Sequence, residues 1–285
     1  VWGKRHAVLH SVSLGLVNPD GVLTMSHPRV MRAIMGEIAG FLERPDGAKI
    51  AWRHVAGAGP TVVWLGGFRS DMAGAKAQAL ADWALASGRA YVRFDYFGHG
   101  ESSGDFADGT ITRWREDALA VLDELVEDQA VLVGSSMGGW ISCLAAAAVP
   151  ERIKALVLIA PAPDFTEKLM APEMTEADRA ELAQTGVWLR PSDYGEPYPI
   201  TRELLEDGAR WSILPEPVNV HAPVRILQGG ADPDVPWRHA LELAQALRSQ
   251  DVVFTLIKDG DHRLSRPQDI ARLIEALDEV IAGPA

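Results

Sequence analysis

The six residues Gly134-Ser135-Ser136-Met137-Gly138-Gly139 lie between an apolar run, Ala130-Val131-Leu132-Val133, and an Ala-rich stretch from Trp140 to Val149. A small-x-Ser-x-Gly pentad between a buried strand and a helix reads as a nucleophile elbow, a tight turn that lifts a serine hydroxyl above a parallel sheet. A side chain two residues before or after that serine would strike the adjacent strand or helix, which accounts for Gly134 and Gly138. Gly-rich turns between a strand and a helix produce the same pentad without chemistry, so the weight falls on the residues that follow.

In a chain built this way the partners of the serine come in the order acid, then histidine. Val224-Arg225-Ile226-Leu227 is a short apolar strand that runs into Gln228-Gly229-Gly230-Ala231-Asp232-Pro233-Asp234-Val235-Pro236, delivering an acid just past a strand end. Val252 to Ile257 is another, followed by Lys258-Asp259-Gly260-Asp261-His262. A serine hydroxyl is a poor nucleophile at neutral pH and needs an imidazole to take its proton, and the imidazole needs a carboxylate to fix its tautomer and stabilise its cation. His262 is the candidate base and Asp232 the candidate orienting acid. Asp234 is the rival, expected to point outward because it precedes Val-Pro and the helix from Trp237 to Arg248.

Each residue also has a plainer reading. Asp232 or Asp234 can serve as a helix cap before Pro236. Of the other histidines, His6, His10, His27, His54 and His221 read as surface residues, and His239 as a helix-face residue. His99, in Asp95-Tyr96-Phe97-Gly98-His99-Gly100-Glu101-Ser102, is a second rival base that comes too early in the order. The oxyanion of an acyl-transfer intermediate needs two backbone N–H groups, one from the residue after the nucleophile, here Met137. Thr61 to Leu65 runs into Gly66-Gly67-Phe68-Arg69-Ser70, where Phe68 is the expected second donor, although a Gly-Gly pair after a strand is also ordinary turn chemistry.

The fragments Gly-Gly-Phe-x-Ser-Asp-Met, Arg-Phe-Asp-Tyr-x-Gly-His-Gly-x-Ser, Gly-Ser-Ser-Met-Gly-Gly-Trp and Gly-x-x-Asp-x-x-Val-Pro-Trp, with the Asp261-His262 pair, resemble the α/β-hydrolase superfamily. Val92 to Tyr96, Thr112 to Asp117, Gly134 to Trp140, Gly186 to Trp188 and Asp261 to Arg263 resemble more narrowly its mitochondrial palmitoyl-protein thioesterases, which are also acyl-glucuronide esterases, over about residues 48 to 281. The resemblance implies a serine acyl hydrolase with Ser136, Asp232 and His262 as triad. It implies a substrate less firmly, because function in a shared fold resides in the site.

Length and composition fit one α/β domain with an insertion, since 285 residues at 47% hydrophobic content suffice for one large core. From Glu37 the order is Ile38 to Glu43, Lys49 to Val55 and Thr61 to Leu65 as strands, the first two antiparallel at an edge, then alternating helices and strands to Ile159. Such alternation demands a mostly parallel sheet with helices on both faces. Residues 37–160 and 222–285 form the expected core, and 161–221 an inserted lid. The segment 161–221 holds eight of the 18 prolines and twelve acids against five bases, and it reads as long and irregular, with helical spacing around Ala177 to Gln184. Met170, Met174, Leu182, Val187, Trp188 and Leu189 are its candidates to line an acyl pocket. The lid's balance of five minus twelve, or −7, disfavours a strongly anionic substrate such as a coenzyme A thioester, while Arg69 offers a local partner for a carboxylate.

The net charge of −12 argues against nucleic acid and anionic membranes as partners. No apolar run approaches the roughly 20 residues of a membrane span. The substrate is expected to be a small molecule or an acylated protein. Cys143, the single cysteine, reads as core filler and suits a reducing compartment. No His-x-Glu-x-x-His, paired-cysteine or phosphate-loop pattern calls for a metal or cofactor. Residues 1–36, with four Lys or Arg and the single acid Asp20, read as a flexible extension of a cytoplasmic protein or, alternatively, as a mitochondrial targeting peptide. The same triad also serves carbon–carbon hydrolysis or perhydrolysis; a carboxylate-nucleophile dehalogenase would need Asp at position 136. A hydrolase-fold ligand receptor is the non-enzymatic alternative, distinguished by the loss of a triad member, and here every member is present.

Overall fold

The computed structural model describes residues 36–191 and 197–283; the N-terminal extension expected over 1–36 lies, but for Gly36, outside the described residues. An eight-stranded sheet forms the centre, in the order β1-β2-β4-β3-β5-β6-β9-β10. Its strands are β1 (Glu37–Glu43), β2 (Lys49–Val55), β3 (Ala58–Leu65), β4 (Arg89–Phe94), β5 (Ala130–Ser135), β6 (Ile153–Ile159), β9 (Val224–Gly229) and β10 (Val252–Ile257). β2 runs antiparallel to both β1 and β4, and every later pairing is parallel. β5 and β9 are buried along their whole length, as strands covered on both faces must be.

Successive side chains of a strand point to opposite faces, and the core divides accordingly. Ala130, Leu132, Leu156 and Leu158 pack on one face against α2 (Ile111–Leu125), α3 (Met137–Ala148) and α6 (Trp237–Ala246), where Trp114 and Trp140 are fully buried. Val131, Val133, Ala155 and Val157 pack on the other against α1 (Ala75–Ser87) and α7 (Pro267–Ala282). Cys143 is buried in the first of these layers, as filler.

The parallel register brings the C-terminal ends of the strands level. Leu65 pairs with Gly134, Ser135 with Ile159, Ile159 with Leu227, and Gly229 with Ile257. The loops after β3, β5, β9 and β10 therefore emerge along one edge, where open α/β sheets place their ligands.

Between β6 and β9 the chain is more regular than its composition suggests. A π-helical turn, Thr166–Met170, is followed by α4 (Glu176–Thr185), the antiparallel hairpin β7 (Val187–Arg190) and β8 (Tyr198–Thr201), and α5 (Arg202–Arg210). α4 has a capping box, Thr175 with Asp178, and ends on Gly186 at φ 80°. α5 starts where the Thr201 hydroxyl accepts from the Leu204 N–H. Pro199 is tolerated in β8 because the two-stranded hairpin leaves it an edge.

The two ends of this insertion are tied together at Asp164. Its buried carboxylate accepts from the Ser212 hydroxyl at 2.9 Å and from the Ile213 and Leu214 N–H groups at 2.9 and 2.8 Å. Asp207 of α5 accepts from the N–H and hydroxyl of Thr112 at 2.7 Å each, docking the insertion on the start of α2. Removing the clamp strands buried donors, each costing about 1–3 kcal/mol. Asp164→Ala is expected to lose about 2–4 kcal/mol in urea unfolding. Asp164→Asn, which keeps an acceptor and tolerates the local φ of 53°, should lose less than half of that.

Candidate active site

Ser136 stands at the turn from β5 into α3 with φ 54° and ψ −117°, a conformation that costs a non-glycine residue about 1–3 kcal/mol. Its backbone is pinned on both sides: the N–H donates to the Ile159 carbonyl at 2.9 Å, and the carbonyl accepts from the Gly139 and Ala162 N–H groups at 2.9 and 3.1 Å. A Cβ on Gly138 would lie 2.0 Å from the Leu65 carbonyl oxygen, and one on Gly134 would lie 2.4 Å from the Gly138 oxygen. Both positions therefore require glycine by contact with backbone.

His262, in the loop after β10, places Nε2 3.2 Å from Ser136 Oγ and Nδ1 2.9 Å from Asp232 Oδ2. The carboxylate fixes the tautomer: Nδ1 carries the proton and donates to Asp232, which leaves the Nε2 lone pair to accept from the serine hydroxyl. Asp232 is fully buried at its carboxylate and also receives the Gln228 amide at 3.1 Å and the Asp234 and Val235 N–H groups at 2.9 Å each. Asp232 does not cap the following helix as its plainer reading expected: Oδ1 closes the turn at Asp234 and Val235, and Oδ2 meets His262. Asp234 is exposed, and α6 begins at Pro236 without a side-chain cap. Lys76 of α1 secures the His262 loop from the other side. Its ammonium donates to the Arg263 carbonyl and faces Ser265 Oγ at 3.5 Å, and burial and the neighbouring Arg263 lower its pKa to about 8.

Met137 opens α3, so its N–H has no partner within the helix. The Phe68 N–H likewise has no acceptor among the described residues. The loop carrying Phe68 runs against the elbow: a Cβ on Gly67 would lie 3.4 Å from Ser136 Cβ. The Phe68 ring packs at 4.9–5.9 Å centroid distances against Phe106, Phe165, Trp114 and Tyr198. Arg69 follows at φ 58°, its guanidinium 4.7 Å from the Tyr198 ring centre, with no ion pair among the described residues.

A cavity of about 820 Å³ opens over Ser136 and His262. Phe68, Ala162, Phe165, Leu169 and Met170 contribute apolar lining from the loop after β3 and from the insertion. Ser70, Asp71, Lys76, Arg263 and Ser265 contribute polar lining from the loop after β3, the start of α1 and the His262 loop. Arg69 and Met170 thus reach the cavity. Met174 and Trp188 do not, contrary to expectation: both are buried in the core layer, at 7% and 2% exposure. The hairpin's period of two explains Trp188, which turns inward while the adjacent Leu189 is exposed. Leu182 and Val187 are also absent from the lining.

His99 is buried rather than poised over the serine, and His239 is buried with Nε2 2.7 Å from the Pro163 carbonyl. Cys143 has its thiol pushed up to about 12 by burial, which removes it as a nucleophile. Asp232, Asp234 and His262 are the group of potential metal ligands among the described residues, with atoms within 4.8 Å of one another. Both nitrogens of His262 are already engaged, one with Asp232 and one with Ser136, which suits proton transfer rather than coordination. Gln228 and Lys76 escaped sequence reasoning. The signal for Gln228 was a polar residue near the end of a strand that also holds Arg225; Lys76 left none.

Residues 64–207 match the family model of the alpha/beta hydrolase fold. The chain is 36% identical over 285 residues to the mitochondrial palmitoyl-protein thioesterase ABHD10 of Bos taurus, covering 98% of this chain and 92% of the relative. Among solved structures it is similar to a putative hydrolase from Agrobacterium vitis S4, with 47% identity and a TM-score of 0.82, and to alpha/beta hydrolase domain-containing protein 10 from mouse, with 36% identity and a TM-score of 0.80. Each of these two covers 86% of this chain over 98% of its own length. With a sheet, an elbow and relatives of this kind, the chain belongs to the α/β-hydrolase family, in the group that includes the palmitoyl-protein thioesterases.

Proposed function

We propose that this α/β hydrolase cleaves acyl thioesters and carboxylic esters through an acyl-enzyme formed on Ser136. The observation that carries the proposal is the unbroken line from Asp232 through His262 to Ser136, at 2.9 and 3.2 Å, opening on a cavity with apolar and polar lining. Ser136 Oγ attacks the acyl carbonyl as its proton passes to His262 Nε2, and Asp232 stabilises the resulting imidazolium. The Phe68 and Met137 N–H groups, both without acceptors among the described residues, receive the negative oxygen of the tetrahedral intermediate. Collapse breaks the bond to the leaving group, which departs with the proton from His262 and leaves the imidazole neutral. Water, deprotonated by His262, then releases the acid and restores the serine. The apolar lining from Phe68, Phe165, Leu169 and Met170 suits an acyl chain, and the polar lining suits a hydrated leaving group such as a peptide or a sugar. The segment between β6 and β9 acts in this reading as a lid over the acyl side.

A carboxylate-bearing leaving group is favoured by one observation, the Arg69 guanidinium on the cavity with no carboxylate partner among the described residues. The relatives' names place those proteins in mitochondria, which agrees with the targeting reading of the basic N-terminal residues and lends nothing to a cytoplasmic one. Among the described residues no helix is long and apolar enough to cross a membrane.

Turnover measured across acetyl to palmitoyl thioesters and oxygen esters should show an optimum that disappears in Ser136→Ala. A wild-type protein without Ser136-dependent turnover or fluorophosphonate labelling is instead a receptor. Asp232→Asn, which forces the wrong imidazole tautomer, is expected to lower kcat by roughly 10³–10⁴ with little change in KM. For Arg69→Ala, KM should rise about tenfold, the worth of one ion pair of about 1.4 kcal/mol, for esters with a carboxylate in the leaving group and stay constant for neutral ones. An equal effect on both excludes Arg69 as an anion contact.

A further inference from the structure

His99 is the one histidine of the strand-end loops that the proposed reaction leaves without a task. It lies in the loop after β4, 4% exposed, with Tyr96, Phe106 and Trp114 edge-on at 5.3–5.8 Å. Both ring nitrogens are engaged. Nδ1 is 3.1 Å from the Phe97 carbonyl, an acceptor, so Nδ1 carries the proton. Nε2 is then a lone pair, and it accepts from the backbone N–H of Arg69 at 3.2 Å. The backbone around the ring is held too: the His99 N–H donates to the Tyr96 carbonyl and the His99 carbonyl accepts from Ser102.

The same loop takes hold of the chain after β3 a second time. Asp95 Oδ1 accepts from the Met72 N–H at 2.7 Å, while Oδ2 accepts from the Glu101 N–H at 2.8 Å. Side chains from 95–99 thus capture the N–H groups of residues 69 and 72. Arg69 is held at φ 58°, a left-handed conformation that a bulky residue keeps only when its surroundings impose it. With the Arg69 N–H drawn toward His99, the preceding N–H, that of Phe68, has no acceptor among the described residues, in a loop that runs against Ser136 at Gly67.

We propose that His99 is a positioning residue: its neutral Nε2 fixes the Arg69 peptide in the left-handed turn and thereby aims the Phe68 N–H at the oxyanion. The proposal rests on the reading of Phe68 as an oxyanion donor. A protonated ring would have no lone pair for Arg69, and the surroundings resist protonation. Burial first, and then the Arg69 charge, lower the His99 pKa to about 4, against the favourable Phe97 carbonyl. The carboxylates of the neighbouring segments are engaged elsewhere, Asp95 with the Met72 and Glu101 N–H groups and Asp117 of α2 with the Phe97 N–H at 2.9 Å and with Arg44 and Arg113.

The test compares His99→Phe, which keeps a ring but has no acceptor, with His99→Gln, whose amide oxygen reaches the position of Nε2. For His99→Phe we expect kcat to fall about 10–100-fold with KM within twofold, the signature of a misaimed oxyanion donor. Affinity for an alkyl boronic acid, which forms the tetrahedral adduct on Ser136, should fall in parallel, and binding of the product fatty acid should not. His99→Gln should recover most of the loss. A His99→Phe protein with wild-type kcat, or one whose activity and boronate binding per folded molecule are unchanged, overturns the proposal and leaves His99 as packing. Imidazole nitrogen NMR of the wild-type chain reads the same point without a variant: Nε2 must be the unprotonated nitrogen and must not titrate above pH 5. An Nε2-protonated ring overturns the assignment whether or not turnover is found, whereas absent Ser136-dependent turnover with the expected tautomer counts against the hydrolase reading alone.

Discussion

The contact on which the site depends is between backbones, where α3 leaves the elbow and touches the end of β3. The Gly138 Cα lies so close to the carbonyls of Leu65 and Gly66 that a methyl group there would sit 2.0 and 2.6 Å from their oxygens. Two strands that are neighbours in the sheet thereby fix the relative position of their loops, one carrying Ser136 and the other Phe68, without any side chain between them. The strained φ of Ser136 is tolerated because three backbone hydrogen bonds, to Ile159, Gly139 and Ala162, over-determine it. Close packing of this sort is stiff, since cores have little free volume with which to relax.

Electrostatics complete what packing begins. Asp232 is a fully buried carboxylate with four donors, so His262 need not neutralise it alone, and the imidazole is oriented by a group that is itself immobile. Lys76, from α1, holds the Arg263 carbonyl next to His262, and His99, from the loop after β4, holds the Arg69 N–H. Distances near 3 Å at the reacting serine are thus set by groups that never touch it.

Much of this was legible in the sequence, for reasons that can be named. Buried parallel strands leave continuous apolar runs, as in Val131-Leu132-Val133 and Ile226-Leu227, and strand ends dictate where loops converge. The elbow is legible because its glycines answer a local steric demand. Trp188 and Met174 were not: whether an apolar residue of the insertion faces the cavity or the core depends on its tertiary partners, such as Ile200 opposite Trp188, which sequence spacing does not announce. α5 was not anticipated either, and its Asp207 shows its part only in holding Thr112, far away in the chain. Gln228 and His99 illustrate the remaining gap. A side chain that acts by satisfying a hydrogen-bonding group elsewhere in the chain, the Asp232 carboxylate or the Arg69 N–H, has no spacing rule to announce it.

The clamp at Asp164 has an evolutionary consequence. Because the insertion leaves and re-enters the core through hydrogen bonds between residues 164 and 212–214, the sheet sees it as a closed loop. The entropy of closing such a loop grows only with the logarithm of its length, so extra or missing residues within it cost the sheet little. β6 and β9 pair directly, outside the loop so closed. Selection can therefore trade one insertion for another as a module, changing which molecules the cavity admits while the framework at the strand ends is inherited unchanged.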